Sequence, residues 1–176
     1  MAISRRTFVK FGAGGALLLA LGGVGLSLRS TVMREARVPL QVLSESEFSI
    51  LAALADRVAP SNRPFPSAYA LHVPEKVDAL LATLDPGTVD ELKQALALLE
   101  NAAAGLLLDG RTTTFTGAKP EAQDDIMRAW QTSRIQVRRV AMRALVGICA
   151  ATYWSSPEIH AHVGYPGPPA FAGAPT

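Results

Sequence analysis

Apolar residues recur three and four positions apart over most of this 176-residue chain, in blocks separated by proline and glycine. That spacing predicts helices with one face turned inward. The first block opens on Leu43-Ser44-Glu45-Ser46-Glu47-Phe48. Ser44 can cap the leading amides, Glu47 can reach back to the cap, and Leu43 can pack on Phe48. The helix continues through Leu51, Leu54, Ala55 and Val58 and stops before Pro60. Residues 60–73, with Pro60, Pro64 and Pro66, read as a long loop. Pro74 suits the first turn of a second helix carrying Val77, Leu80, Leu81 and Leu84. Asp85-Pro86 restarts a third, which the pattern of Val89, Leu92, Leu96, Leu99 and Ala103 extends to about Leu108, with Gly110 as its stop.

A polar connector, 111–119, holds one anchoring aromatic, Phe115. Pro120 then opens a fourth helix with Ile126, Met127 and Trp130 on its inner side. The fifth, from about Arg134 to Trp154, is the longest. Its apolar stripe consists of Val137, Val140, Ala141, Ala144, Leu145, Ile148, Ala151 and Thr152. Ser156-Pro157-Glu158 starts a short sixth turn, and Pro166, Pro168 and Pro169 stiffen the tail beyond it. No stretch alternates as a strand would. The expected architecture is all-α: a bundle of about five helices at 37–163, a Pro/Gly-rich tail at 164–176, and a leader at 1–36.

The leader changes the picture most. Ser4-Arg5-Arg6-Thr7-Phe8-Val9-Lys10 matches the twin-arginine export pattern, with Arg5, Arg6 and Phe8 as its signal residues. A glycine-interrupted apolar run, 11–28, follows; it is either cut off or kept as a membrane anchor, since no clean Ala-x-Ala site succeeds it. The expected location is the periplasm, associated with the bacterial inner membrane, and the expected export partner is the twin-arginine translocon. This route carries folded proteins, which raises the question of what must fold first. Four of the 17 bases stand in residues 1–30, which hold no acid; the remaining 13 face all 15 acids, a net of −2. A near-neutral body gives no reason to expect nucleic-acid binding.

Candidate chemistry is sparse. Cys149 is the only cysteine, which excludes an internal disulfide, covalent haem and a cysteine-ligated cluster. Cys149, His160 and His162 can be imagined as a metal set, but His-Ala-His puts its rings on different sides of a helix and no carboxylate cluster completes it. Glu45/Glu47 and Asp124-Asp125 stand at helix starts, where the macrodipole favours acids. No acyl-transfer signature surrounds Ser155-Ser156. These residues assign no catalytic, cofactor-binding or metal position. Arg134, Arg138, Arg139 and Arg143 form two rows of positive charge along the fifth helix, either a solvated face or a ridge for a partner's acids. Tyr153, Trp154, Tyr165, Pro166 and Pro168 extend that candidate contact surface beyond Arg138 and Arg139.

Three segments together carry a family resemblance: "SRRTFVK", "LSESEFSILAALADRVAPS" and "ATYWSSPEIHAHVGYPGPP". With them the chain resembles the small subunit, subunit 3, of membrane-bound gluconate 2-dehydrogenase and related bacterial flavin-dependent sugar and polyol dehydrogenases. The resemblance implies an escort without catalysis of its own. Its partners would be an FAD-containing catalytic subunit and, in some complexes, a multihaem cytochrome c subunit. FAD and haem would then belong to those subunits and no cofactor to this one. The folded object awaiting export would be the flavoprotein. A stand-alone periplasmic enzyme and a membrane-anchored structural protein are the competing readings.

Overall fold

A computed structural model describes residues 31–59 and 64–166. The described residues form helices and no strand: α1 Glu45–Val58, α2 Val73–Leu81, α3 Pro86–Glu100, α4 Ala102–Asp109, α5 Pro120–Gln131, α6 Gln136–Trp154 and α7 Pro157–Val163. The chain is all-α, as its spacing predicts. Local chemistry sets the boundaries. Ser44 Oγ accepts from the Glu47 N–H at 3.3 Å while the Ser44 N–H donates to Glu47 Oε2 at 2.8 Å, a reciprocal cap for α1. Proline occupies the first turn of α2, α3, α5 and α7, where its missing N–H costs nothing. Gly110 closes α4 at φ 71°, a conformation that glycine adopts without a Cβ penalty.

The helix expected to run unbroken to Leu108 is divided at Asn101. The Asn101 side chain accepts from the Ala104 N–H at 2.9 Å and so caps a new helix, α4. The corner is then locked from outside. Buried Glu100 takes the Thr116 N–H at 2.9 Å, and Arg111 donates to the Leu99 carbonyl at 2.6 Å. Arg111 lies against Gly105 so closely that any Cβ there would collide with it. Burial lowers the Arg111 pKa, and the charges of Asp109 and Glu100 oppose that shift. This division and α7 account for seven helices among the described residues instead of about five.

Helices α1 and α6 form the centre. Helix α1 touches α2, α3, α5 and α6, and α6 touches α1, α2, α3, α5 and α7. Every residue from Phe48 to Ala55 is buried, so α1 is covered all round. Part of that cover is the extended segment 31–43, which runs over α1 and α2 as a strap. The Arg34 N–H donates to Ser49 Oγ at 2.9 Å, and the Arg34 guanidinium pairs with Asp56. Arg37 stands over the Tyr69 ring at 4.1 Å. The strap ends on Asp78, whose buried carboxylate accepts the N–H groups of Gln41, Val42 and Leu43 at 2.6, 3.1 and 2.8 Å.

Helix α6 corrects the expected inner stripe. The residues it buries are Arg138, Met142, Leu145, Cys149 and Tyr153; of the apolar stripe read from the sequence, only Leu145 is among them. Val137 and Val140 are more than half exposed, and Ala144 and Ala151 face solvent. The helix is apolar on two opposite faces, so periodicity alone does not select between them. Arginine at 138 disguises the true inner row. Its guanidinium meets Asp109 at 2.5 Å and stands 5.0 Å over the Trp130 ring, which makes burial tolerable.

Candidate functional site

Most polar side chains suited to chemistry are paired within the chain, although buried Glu75 leaves its Oε2 without a hydrogen-bond partner among the described residues. Asp124 receives Arg57 at 2.9 Å, Asp125 pairs with Arg128, and Glu47 completes the α1 cap beside Lys93. Ser156 is buried, with its hydroxyl 3.2 Å from Lys76 Nζ. Cys149 lies within the core, and burial pushes its thiol up to about 12, so it stays protonated near neutral pH. On α7, the His162 ring nitrogen lies 2.8 Å from the Glu158 carbonyl, and His160 packs edge-on against Tyr165 at 4.9 Å. Among the described residues no three His, Cys, Asp or Glu side chains converge as a metal-binding group.

The residues expected to form a partner surface divide sharply. Arg138 and Tyr153 are inside: Arg138 is bound to Asp109, and the Tyr153 hydroxyl donates to the Pro66 carbonyl at 2.8 Å, tying α6 to the loop before α2. Neither is offered to another chain. Arg139 is half-buried and donates to the Ser133 carbonyl. Trp154 and Tyr165 are 44% and 46% exposed, and Pro166 is exposed. Trp154 meets Phe65 edge-on at 6.0 Å and Tyr153 at 5.2 Å. Trp154, Val163 and Tyr165 line a shallow apolar recess with Ser155 and His160. Arg5, Arg6, Phe8 and Pro168 lie outside the described residues.

Two features escape sequence reasoning. One is the outward face of α6, where Val137, Val140, Ala144, Gly147, Ala151 and Trp154 are all exposed. Its signal is present, because these residues recur at three- and four-residue spacing. The other is Asp78, an acid in phase with Pro74, Val77 and Leu81 on the buried side of α2. An acid at a core phase is the one mark the sequence gives of such an anchor.

A family model described as gluconate 2-dehydrogenase subunit 3 matches residues 45–167. The chain belongs to that family. The matched stretch begins on the first residue of α1 and takes in every helix through α7. No curated protein and no solved structure matches the chain. The family's own description makes its members subunits of a dehydrogenase, which accords with an accessory chain in a multisubunit complex. No described helix is long and apolar enough to cross a membrane.

Proposed function

We propose that this chain is the non-catalytic small subunit of a periplasmic FAD-dependent sugar or polyol dehydrogenase, and that it escorts the folded catalytic subunit through the twin-arginine route. The observation that carries this reading is how the body uses its side chains. Its buried carboxylates, Glu75, Asp78 and Glu100, each accept a hydrogen bond from this chain's own backbone, while large apolar side chains stand exposed along α6 and α7. A body built in this way is fitted to hold a partner rather than to transform a substrate. The strap adds a mechanical argument. Bonds from Val32, Arg34 and Arg37 fasten the chain to Thr116, Ser49 and Glu75, so pulling on the residues just ahead of it pulls on the whole bundle. The catalytic flavoprotein, bound to that bundle, travels with it and stays attached after export at the inner membrane. A cytochrome c subunit completes the electron path in this reading.

The test is replacement of both leader arginines, Arg5→Lys with Arg6→Lys, in the native host. Both this chain and the flavin-containing dehydrogenase subunit are expected to remain in the cytoplasm. An active dehydrogenase in the periplasm of that strain would overturn the escort role.

A further inference from the structure

The outward face of α6 lies roughly opposite its buried row, by the turn of an α-helix. Along it stand Val137, Val140, Ala144, Gly147, Ala151 and Trp154, an apolar surface about 27 Å long at 1.5 Å per residue. It continues past Trp154 into the recess formed with Val163 and Tyr165. Val137, Val140, Trp154, Val163 and Tyr165 are each between 44% and 56% exposed. Exposed apolar residues aligned in this way along one helix face mark an interaction surface.

Charge decides the occupant. Helix α6 contains no acid, and Arg143 borders the apolar face, three residues after Val140 and four before Gly147. Among the described residues, Arg134, Arg139 and Arg143 have no carboxylate partner, whereas Arg34, Arg57, Arg128 and Arg138 each have one. A second copy docked face to face would present the same arginines and, between Val137 and Tyr165, the single acid Glu158. The chain's own apolar segment, 11–28, is flanked by Arg5, Arg6, Lys10 and Arg29 and brings no acid. A lipid surface is served best by bulky apolar residues, but the middle of this face is Ala144, Gly147 and Ala151, which admit another backbone closely and bury little in lipid.

We infer that the face from Val137 to Tyr165 is the docking site for the catalytic dehydrogenase subunit, through a segment of that subunit with an apolar stripe and carboxylates beside it. The inference rests on the accessory role proposed above. The small middle residues seat the segment, Trp154 and Tyr165 anchor one end, and Arg139 and Arg143 meet its acids.

A photo-crosslinking amino acid at position 140 of the full chain, expressed in the native host, tests it. The expected product joins position 140 to an acid-bearing segment of the co-purifying dehydrogenase subunit. Ala144→Glu is expected to cut the dehydrogenase recovered with the chain about tenfold while leaving the chain's melting temperature unchanged. A crosslink to a second copy, to residues 11–28, or to nothing while the dehydrogenase still co-purifies would overturn this surface and leave the accessory role standing. Sedimentation with phosphatidylglycerol vesicles, abolished by Ala144→Glu in the absence of a dehydrogenase crosslink, would assign the face to membrane and overturn it too. Absence of any dehydrogenase subunit from the purified wild-type chain would overturn the accessory role itself.

Discussion

Helices α1 and α6 pose the same problem and meet it differently. Each is apolar around much of its circumference, and such a helix must be covered on every side or bind something. Around α1 the cover comes from within the chain: four helices pack on it and the strap closes the remaining side, so Phe48 through Ala55 are buried without a gap. Around α6 the described residues cover one side only. The difference teaches where the fold ends as a self-sufficient object. Asp78 and Ser49 hold the strap over α1 by accepting backbone N–H groups. No described segment lies similarly across Val137, Val140 and Ala144.

The strongest way to break the comparison is to remove what holds the strap. Asp78 is buried, and Asp78→Ala would leave the N–H groups of Gln41, Val42 and Leu43 without their acceptor. Unsatisfied buried donors of this kind cost about 1–3 kcal/mol each, less where water can reach them. We expect Asp78→Ala to lower unfolding stability by about 3–5 kcal/mol, read from urea denaturation. A loss below about 1 kcal/mol would show that the strap contributes little to covering α1.

Much of the fold is legible in the sequence, and the failures have physical causes. The cap at Ser44, the prolines opening four helices and the stop at Gly110 are local chemistry, and local chemistry is visible in sequence. Asn101 is equally local but stands inside an apolar pattern that continues past it, and the pattern hides the cap signal. The orientation of α6 is a different matter. Val140 and Cys149 are both apolar, and which of them faces inward depends on packing against α1, α2, α3 and α5 and on Asp109 being placed to receive Arg138. That information is tertiary. Arg138 and Tyr153 read as partner contacts because arginine and tyrosine favour interfaces, yet here they serve an interface inside the chain.

The buried side of α6 gives a sharper test, through pH. Burial moves the Cys149 thiol from 9.0 to about 12. Between those values the unfolded chain releases the thiol proton while the folded chain keeps it. The unfolded state then binds fewer protons, so stability falls as pH rises, at up to about 1.4 kcal/mol per unit. Below pH 9 this contribution is constant. Burial also raises the Tyr153 phenol, with the same sign, so wild type and Cys149→Ala must be compared across the same range. The variant is expected to lose stability less steeply between pH 9 and 11 in urea titrations. Identical slopes would mean that water reaches the thiol and that the inner face of α6 is not sealed.

The smallest expected effect carries the most information about the outer face. Val140 is 56% exposed and makes up part of the apolar surface assigned to the partner. In the isolated chain, Val140→Glu removes a β-branched residue from a helix, a change that favours helix formation by a few tenths of a kcal/mol. It also puts a carboxylate one turn before Arg143, a pairing worth about 0.2–0.5 kcal/mol. Against these gains stands only the loss of a half-exposed side chain's packing. The net change in unfolding stability should lie within about 0.5 kcal/mol of zero, as for an ordinary surface position. If Val140→Glu instead costs more than about 1.5 kcal/mol in the isolated chain, position 140 is covered by this chain itself. The two helices would then differ only in which segment covers them, and α6 would no longer point to another protein. A near-zero value leaves a surface that the fold does not need, which is the property a docking face requires and a core face cannot have.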